Sequence, residues 1–311
     1  MKISFHKLAC ILILAGCQAE LSIAATQLTG SAPAPAEPLS LWYRQPAAPN
    51  QWTSALAIGN GRIGAMVFGG IEKEKLQLNE DTLWAGGPYD PVNPKAKEAL
   101  PKVREMIFAG QYQDAARLVT TDVLSHPIGQ APYETAGDLN LNFPGMEDAT
   151  VENYRRDLNL DKAVTSVTYT FNGVKYTRTA FASPADQVIV VRITADKKGA
   201  VSFEAELKSP QKSSVTVEAQ NTLVEYGTNG DFGGSSGRRG GTPTPSIKGA
   251  LKFEVRERVL ADGGKVMTNE NSITVTNADS ATVLVALATS YKNFEDVTGN
   301  ATAINKKRIA A

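Results

Sequence analysis

The sequence predicts a mainly β protein, a large antiparallel β-sandwich with a short helix pair inserted. Short runs of alternating apolar and polar residues recur from Leu39 onward, and turn residues separate them at regular intervals. One segment alone, residues 93–124, instead spaces its apolar residues by three and four. Many short strands with regular turn signals favour a sandwich over a sheet built from βαβ units.

The clearest strand pair surrounds Asn172-Gly173. The runs 167–171 and 174–176 both alternate, and the two turn positions of such a hairpin need a positive φ, which Asn and Gly adopt readily. A second pair is expected from QVIVVRITA (187–195) and VSFEAELKS (201–209), joined by a KKGA turn.

Later runs complete the series of strands. ITVTN and ATVLVALATSY, within 273–291, are the last two. Between Gly227 and Gly241 glycine and serine dominate, which predicts a mobile loop with a solvated Arg238-Arg239 pair. The run LKFEVRERV has Glu257 as the only polar residue on a face that otherwise carries Leu251, Phe253, Val255 and Val259.

The helical segment predicts two helices, at about 95–121, that break at Ala109-Gly110-Gln111. Helical spacing on both sides of the break supports this prediction. The apolar residues concerned are Ala99, Val103 and Ile107, followed by Ala115, Leu118 and Val119.

Charge and composition limit the possible functions. The 32 basic residues balance 32 acidic ones, so the chain lacks the excess positive charge of nucleic-acid binders, and no nucleic acid is expected as a partner. Both cysteines, Cys10 and Cys17, lie at the N-terminus, which leaves no thiol for a disulfide, a zinc site or a nucleophile in the folded part. His126 is expected to be a solvated loop residue, and no metal or cofactor is expected.

The N-terminus predicts export and a lipid anchor. The run LACILILAG follows a basic start, is too short to span a bilayer, and is typical of a secretory signal. It leads into Leu14-Ala15-Gly16-Cys17, which resembles the bacterial lipobox. Residues 1–16 are therefore assigned to a lipoprotein signal peptide and Cys17 to lipidation. The alternative is an ordinary signal peptide cut after Ala24 or Ala25.

The residues after the cysteine predict location and attachment. Gln18, by resemblance to sorted lipoproteins, favours an outer-membrane lipoprotein, with a periplasmic protein as the alternative. The membrane would then be contacted through the lipid alone. Residues 17–38 are small, polar and rich in Pro and Ala, which predicts an extended tether in front of a domain over 39–295.

A glycine-rich stretch, GNGRIG at 59–64, matches the GxGxxG spacing of dinucleotide-binding loops, with Glu80 about 20 residues downstream. Such a loop must open a helix whose N-terminus faces the pyrophosphate. Here the glycines lead into AMVFGGI, which has no helix start signal, and the elements that accompany a kinase loop do not follow. The glycines are therefore expected to form tight β-turns and to permit close backbone approach.

The same stretch carries a family resemblance. ALAIGNGRIGAMVFGG, LQLNEDTLWAGGP, NPKAKEALPKVREMIFAGQYQDA, PYETAGDLNLNF and the run from YRRDLNLDKAV to QVIVVRITA follow in order within residues 39–290. They resemble the N-terminal region of glycoside hydrolase family 95, which contains α-L-fucosidases and related α-L-galactosidases. The resemblance implies a supersandwich-like domain, then a helical linker, an (α/α)6 barrel and a small C-terminal β-domain, with the catalytic acid and the asparagine-assisted base in the barrel.

Compared with that pattern, residues 296–311 are expected to be the start of a truncated linker, with the barrel absent and no catalytic residue in this chain. Glycoside hydrolysis needs a proton donor and a second group that activates water, on either side of one bond. The expected function is the N-terminal domain of an α-L-fucosidase that acts on fucosylated glycans, inactive without its partner, the barrel domain. The alternative is a stand-alone carbohydrate-binding sandwich on the cell surface.

Candidate substrate-binding residues are Asn79, Glu80 and Trp84, which lie close together in QLNEDTLW. Sugars are bound by planar hydrogen-bonding groups and by aromatic faces, and a fucosylated oligosaccharide is the expected ligand. The alternative assigns Asn79 and Asp81 to capping a turn and Trp84 to a seam between domains. Glu80 and Asp81 are not expected to form an acid/base pair, because neighbours on an extended strand point to opposite faces.

Overall fold

The computed structural model describes residues 26–147, 149–233 and 246–310. Side chains from two β-sheets meet in one main hydrophobic core, which confirms the predicted mainly β sandwich. The helices are α1 (Ala96–Phe108), α2 (Tyr112–Leu118) and α3 (Ala301–Ala310). The strands are β1 (Gln27–Thr29), β2 (Ser40–Tyr43), β3 (Leu56–Gly59), β4 (Ile63–Val67), β5 (Lys73–Glu80), β6 (Gly137–Asn142), β7 (Thr150–Asn159), β8 (Val164–Phe171), β9 (Val174–Ala182), β10 (Ile189–Ala195), β11 (Val201–Lys208), β12 (Lys212–Ala219), β13 (Thr222–Thr228), β14 (Lys252–Asp262), β15 (Lys265–Thr268), β16 (Ser272–Ala278) and β17 (Ser280–Thr289).

Within the described residues, the larger sheet has ten strands in the order β1-β7-β8-β9-β10-β17-β14-β13-β12, with β2 also paired to β7. The smaller sheet has seven strands in the same part of the chain, in the order β15-β16-β11-β6-β5-β4-β3. Alternation along each strand sends every second side chain into the core, as Leu76 and Leu78 on β5 and Leu139 and Leu141 on β6 show. The intervening side chains on β5 and β6 form the outer face of the smaller sheet.

The predicted hairpin at Asn172-Gly173 is confirmed. Strands β8 and β9 pair in register up to Phe171 opposite Val174, and the two turn residues have φ values of 50° and 73°. The positive φ angles match the turn type that an Asn-Gly pair favours.

The predicted second pair, between residues 187–195 and 201–209, is wrong. Strand β10 pairs with β9 and β17 in the larger sheet, whereas β11 pairs with β6 and β16 in the smaller one. The KKGA segment therefore crosses between the sheets. Alternation shows that each run is a strand with one apolar face. It does not show whether the two strands lie side by side in one sheet or face each other from two stacked sheets, because the apolar faces are buried in either case.

Strand β14 buries the apolar face that the sequence predicts, and Glu257 on that face is 0% exposed. The opposite face of β14 is buried as well, because α3 packs against β14 and β17. Asn305 on α3 donates a hydrogen bond of 2.9 Å to the carbonyl oxygen of Glu254. The segment assigned to the start of a linker thus lies against the larger sheet.

The predicted helix pair is confirmed. Helix α1 ends before Ala109, Gly110 has a φ of 75°, and α2 starts at Tyr112. A single π-helical turn, Val119–Val123, continues α2. No helix in the described ranges has the length and apolar character that crossing a bilayer requires.

The predicted tether lies partly within the described residues. Within the predicted tether, β1 pairs with β7, and Arg155 donates a hydrogen bond of 2.9 Å to the carbonyl of Pro33, so this part packs on the sheet edge. Edge strands offer unpaired backbone groups that recruit a neighbouring segment, which composition alone does not show. Residues 1–25, including Cys17, and residues 234–245, including Arg238-Arg239, lie outside the described residues.

Candidate functional site

The GNGRIG stretch forms a β-turn between β3 and β4, as the sequence predicts. Gly61 has a φ of 91°, and the side-chain oxygen of Asn60 accepts hydrogen bonds from the backbone N–H groups of Arg62 and Ile63 at 3.0 and 2.9 Å. A Cβ atom at Gly64 would lie 2.8 Å from the carbonyl oxygen of Ile58. These glycines therefore serve the hairpin and do not open a phosphate-binding helix.

Strand β5 separates two of the predicted site residues. Asn79 is half-buried and on the outer face of the smaller sheet, whereas Glu80 is buried at 4% exposure. The two side chains thus point to opposite sides, since neighbours on a strand alternate.

Glu80 is held in a network of hydrogen bonds. One carboxylate oxygen is 3.3 Å from Nη1 of Arg62, and the other accepts hydrogen bonds of 2.8 and 2.6 Å from the backbone N–H and hydroxyl of Thr82. Burial raises the pKa of the Glu80 carboxyl, and the hydrogen bonds from Thr82 oppose that shift. Glu80 therefore fixes the loop after β5, and its burial keeps the carboxylate away from the surface where a ligand would bind.

The same network joins the two sheets. Arg62 also donates to the carbonyl oxygen of Leu287 at 2.8 Å, and that oxygen accepts a hydrogen bond of 3.0 Å from Arg308 on α3. The hydroxyl groups of Thr82 and Thr289 lie 2.5 Å apart. The loop that follows Glu80 is consequently anchored to β17 in the larger sheet.

Trp84 lies on this anchored loop with 38% of its surface exposed. Its Nε1 donates a hydrogen bond of 2.9 Å to the carbonyl oxygen of Asp81, and its ring meets Tyr133 edge-on with centroids 5.1 Å apart. The Tyr133 hydroxyl donates to the carbonyl oxygen of Glu80 at 3.0 Å, and burial raises the pKa of Tyr133 to about 12. The indole is thus held in one orientation at the surface.

Next to Trp84 lies an open cleft with a volume of about 450 Å³. Gly86 and Gly87 form part of its wall, and Asn229 fixes this backbone by donating bonds of 2.6 Å to the carbonyl oxygens of Trp84 and Gly86. The aromatic residues that line it are partly exposed, at 38% for Trp84, 40% for Tyr89, 42% for Tyr291 and 76% for Phe294. We call this the Trp84 cleft.

The lining of the Trp84 cleft suits binding better than acid–base chemistry. Its other lining residues are Thr82, Ala85, Pro88, Pro91, Gln130, Ala131, Leu251 and Val297. A partly apolar wall with a few polar groups is typical of small-molecule sites. A glycosidase centre would need two carboxyl groups on either side of one bond, and none of the described residues that line the cleft is acidic.

Of the predicted site residues, only Trp84 reaches this cleft. Glu80 supports the loop from beneath, and Asn79 lies on the outer face of the sheet. Sequence reasoning missed Tyr133, Tyr291 and Phe294. Tyr133 meets Trp84 through an antiparallel bridge, a contact between distant segments that no local pattern signals.

Metal ligands do not converge in the described part of the chain, where no three His, Cys, Asp or Glu side chains could hold an ion together. His126 is half-buried, with its Nε2 3.1 Å from Nδ2 of Asn93 and 3.2 Å from the carbonyl oxygen of Thr121. His126 was predicted to be solvated, and in the structure its ring also contacts Asn93 and Thr121 of neighbouring segments.

Comparison with known families gives a clear assignment. Residues 41–294 match the model described as "Glycosyl hydrolase family 65, N-terminal domain". The chain belongs to this family. It is therefore a glycoside hydrolase N-terminal domain, and the matched range covers almost all of the sandwich.

The relatives agree with the sequence resemblance to α-L-fucosidases. The chain is 41% identical over 55% of its length to Alpha-L-fucosidase 2 from Arabidopsis thaliana, of which it spans 20%. It is 29% identical over 85% of its length to Probable alpha-fucosidase A from Aspergillus niger, of which it spans 32%. Among solved structures, a putative kojibiose phosphorylase from the human microbiome aligns at a TM-score of 0.47 and 9% identity, over 88% of this chain and 34% of its own, too distantly to support a conclusion.

Proposed function

We propose that this chain is the N-terminal domain of an α-L-fucosidase that acts on fucosylated glycans, and that the Trp84 cleft contributes to sugar binding. The 41% identity to a protein named Alpha-L-fucosidase 2 carries the proposal. The domain would hold the sugar, and the bond would be cleaved by groups outside the cleft described here. Fucose presents hydroxyl groups on one side and an apolar C–H surface on the other, which suits an indole beside backbone polar groups.

Saturation-transfer NMR with L-fucose tests the role of the cleft, since it detects binding in the millimolar range. We expect transfer to L-fucose in the full chain and its loss in Trp84→Ala, because the indole is an exposed aromatic ring of the cleft that Asp81 and Tyr133 hold in one orientation. Phe108→Ala removes an aromatic ring that is 90% exposed and lies outside the cleft, and it should leave the transfer intact. Equal transfer in wild type and Trp84→Ala would show that the cleft does not bind the sugar.

We further propose that the protein is an outer-membrane lipoprotein anchored through Cys17. The motif Leu14-Ala15-Gly16-Cys17 at the end of a short apolar run supports this proposal, and Gln18 supports the choice of membrane. Such an anchor would place the domain at the cell surface or in the periplasm, where it can meet external glycans.

Metabolic labelling with palmitate tests the anchor. Cys17→Ser should abolish the label and release the protein from the membrane fraction, because the thiol is the acylated group. Cys10→Ser is the matched control and should keep the label. Label that persists in Cys17→Ser would rule out acylation at this cysteine.

A further inference from the structure

The outer face of the smaller sheet carries a polar array that has no part in the Trp84 cleft. Gln77 on β5 is directly opposite Asp138 on β6, and Lys75 is opposite Asn140. Directly opposed residues on antiparallel strands share a face, so these side chains form one continuous patch. Trp52 lies beside Gln77. We call the surface formed by Trp52, Gln77, Asp138 and Asn140 the sheet platform.

Trp52 marks one end of the sheet platform. It begins a single 3₁₀ turn, Trp52–Ser54, and 51% of its surface is exposed. Its Nε1 donates a hydrogen bond of 2.5 Å to Oε1 of Gln77. That bond uses the oxygen of the Gln77 amide, so the NH₂ group remains as a donor next to the partly exposed indole.

Asp138 provides acceptors next to this donor. Partial burial raises the pKa of its carboxyl group, and the charges of Lys75 and Lys208 oppose that shift without a hydrogen bond from any described residue. Asn140, two residues along β6, adds both an amide donor and an amide acceptor on the same face. Donors and acceptors thus alternate across strands that lie about 4.8 Å apart.

The charges around the sheet platform balance. Lys75 and Lys208 are matched by Asp138 and by Glu206, which is opposite Asn140 on β11. A balanced patch repels neither sign and attracts neither, so it suits an uncharged ligand better than a polyanion or a polycation. Amide and carboxylate groups next to a half-exposed indole are the kinds of group that bind sugar hydroxyls and C–H faces.

We propose that the sheet platform is a second carbohydrate-binding surface, which holds a neutral glycan chain. It shares no residue with the lining of the Trp84 cleft and does not require that the bound sugar be fucose. A surface of this kind would keep the domain on a polysaccharide while a terminal sugar is presented elsewhere.

Affinity gel electrophoresis of the full chain tests this proposal. The gels contain one of two neutral soluble polysaccharides, hydroxyethyl cellulose or galactomannan, and polygalacturonate serves as the anionic comparison. We expect at least one neutral polymer to retard the wild type, with affinity about tenfold weaker in Trp52→Ala and in Asn140→Ala, since each removes a direct contact. Met267→Ala, exposed at 59% on the far edge strand β15 of the same sheet, should migrate like wild type.

Two outcomes would overturn the proposal. One is that neither neutral polymer retards the wild type, whether or not polygalacturonate does. The other is retardation that Trp52→Ala and Asn140→Ala leave unchanged. Trp84→Ala separates this surface from the proposed fucosidase site, because it should lose L-fucose binding and keep the retardation. Circular dichroism of each variant confirms that the sandwich is folded.

Discussion

Glu257 lies among core side chains of the sandwich, and both of its carboxylate oxygens lack a hydrogen-bond partner within the described residues. Burial, with a smaller contribution from Glu206, raises its pKa from about 4.5 to about 8. The carboxyl group is therefore protonated in the folded protein at neutral pH, although it would ionise in the unfolded chain. The sequence shows Glu257 as a polar break on an apolar face, but its complete burial depends on the stacking of a second sheet.

This shift predicts that the protein loses stability as pH rises from about 4.5 to about 8. Below that window the group is protonated in both states, and above it the group is ionised in both. Within the window only the unfolded state releases the proton, which lowers the free energy of unfolding by up to about 1.4 kcal/mol per pH unit. Glu257→Gln should remove this part of the slope in urea unfolding curves.

Glu270→Gln, an exposed substitution, is the matched control and should keep the wild-type slope. If Glu257→Gln and wild type lose the same free energy of unfolding between pH 5 and pH 8, the carboxyl group does not titrate in that window. That result would mean that a hydrogen-bond partner or a water molecule next to Glu257 stabilises its ionised form in the folded protein.

At the scale of elements, local patterns identify strands and helices but not all of their partners. The Asn172-Gly173 hairpin and the break at Gly110 were predictable, because turn residues and spacing are local signals. The crossing of residues 196–200 between sheets was not, since β10 and β11 each have an apolar face that either sheet could bury. The same limit applies to the candidate site, where Trp84 was predictable and its contact with Tyr133 was not.

The Asn-Gly turn gives a prediction at this scale. Gly173 has a φ of 73° with open space around the position of a Cβ atom, so Gly173→Ala should cost about 1 kcal/mol through backbone strain alone. Gly129 also has open space but is not among the glycines with positive φ, so Gly129→Ala should be close to neutral. Thermal unfolding of the two variants compares them directly. Equal melting temperatures for the pair would contradict the assigned turn.

At the scale of the whole molecule, the family assignment covers residues 41–294, and α3 adds a helix packed on the larger sheet. Arg308 on α3 and Arg62 in the β3–β4 turn donate to the same carbonyl oxygen, that of Leu287. The turn, the loop that carries Trp84 and the helix after the sandwich are thus coupled through one network. The resemblance to fucosidases was predictable from motifs in sequence, whereas this coupling depends on contacts such as that between Arg62 and Leu287, which lie more than two hundred positions apart.

The central proposal is that this domain binds a fucoside without cleaving it. Incubation of the purified full chain with an aryl α-L-fucoside, with the released phenol measured against a buffer blank, tests it most directly. We predict no release above the blank, because the residues that the structure describes place no pair of carboxyl groups in the lining of the Trp84 cleft. Release that survives repurification and is lost in Glu80→Gln or Asp81→Asn would contradict the proposal and place a catalytic centre in this domain.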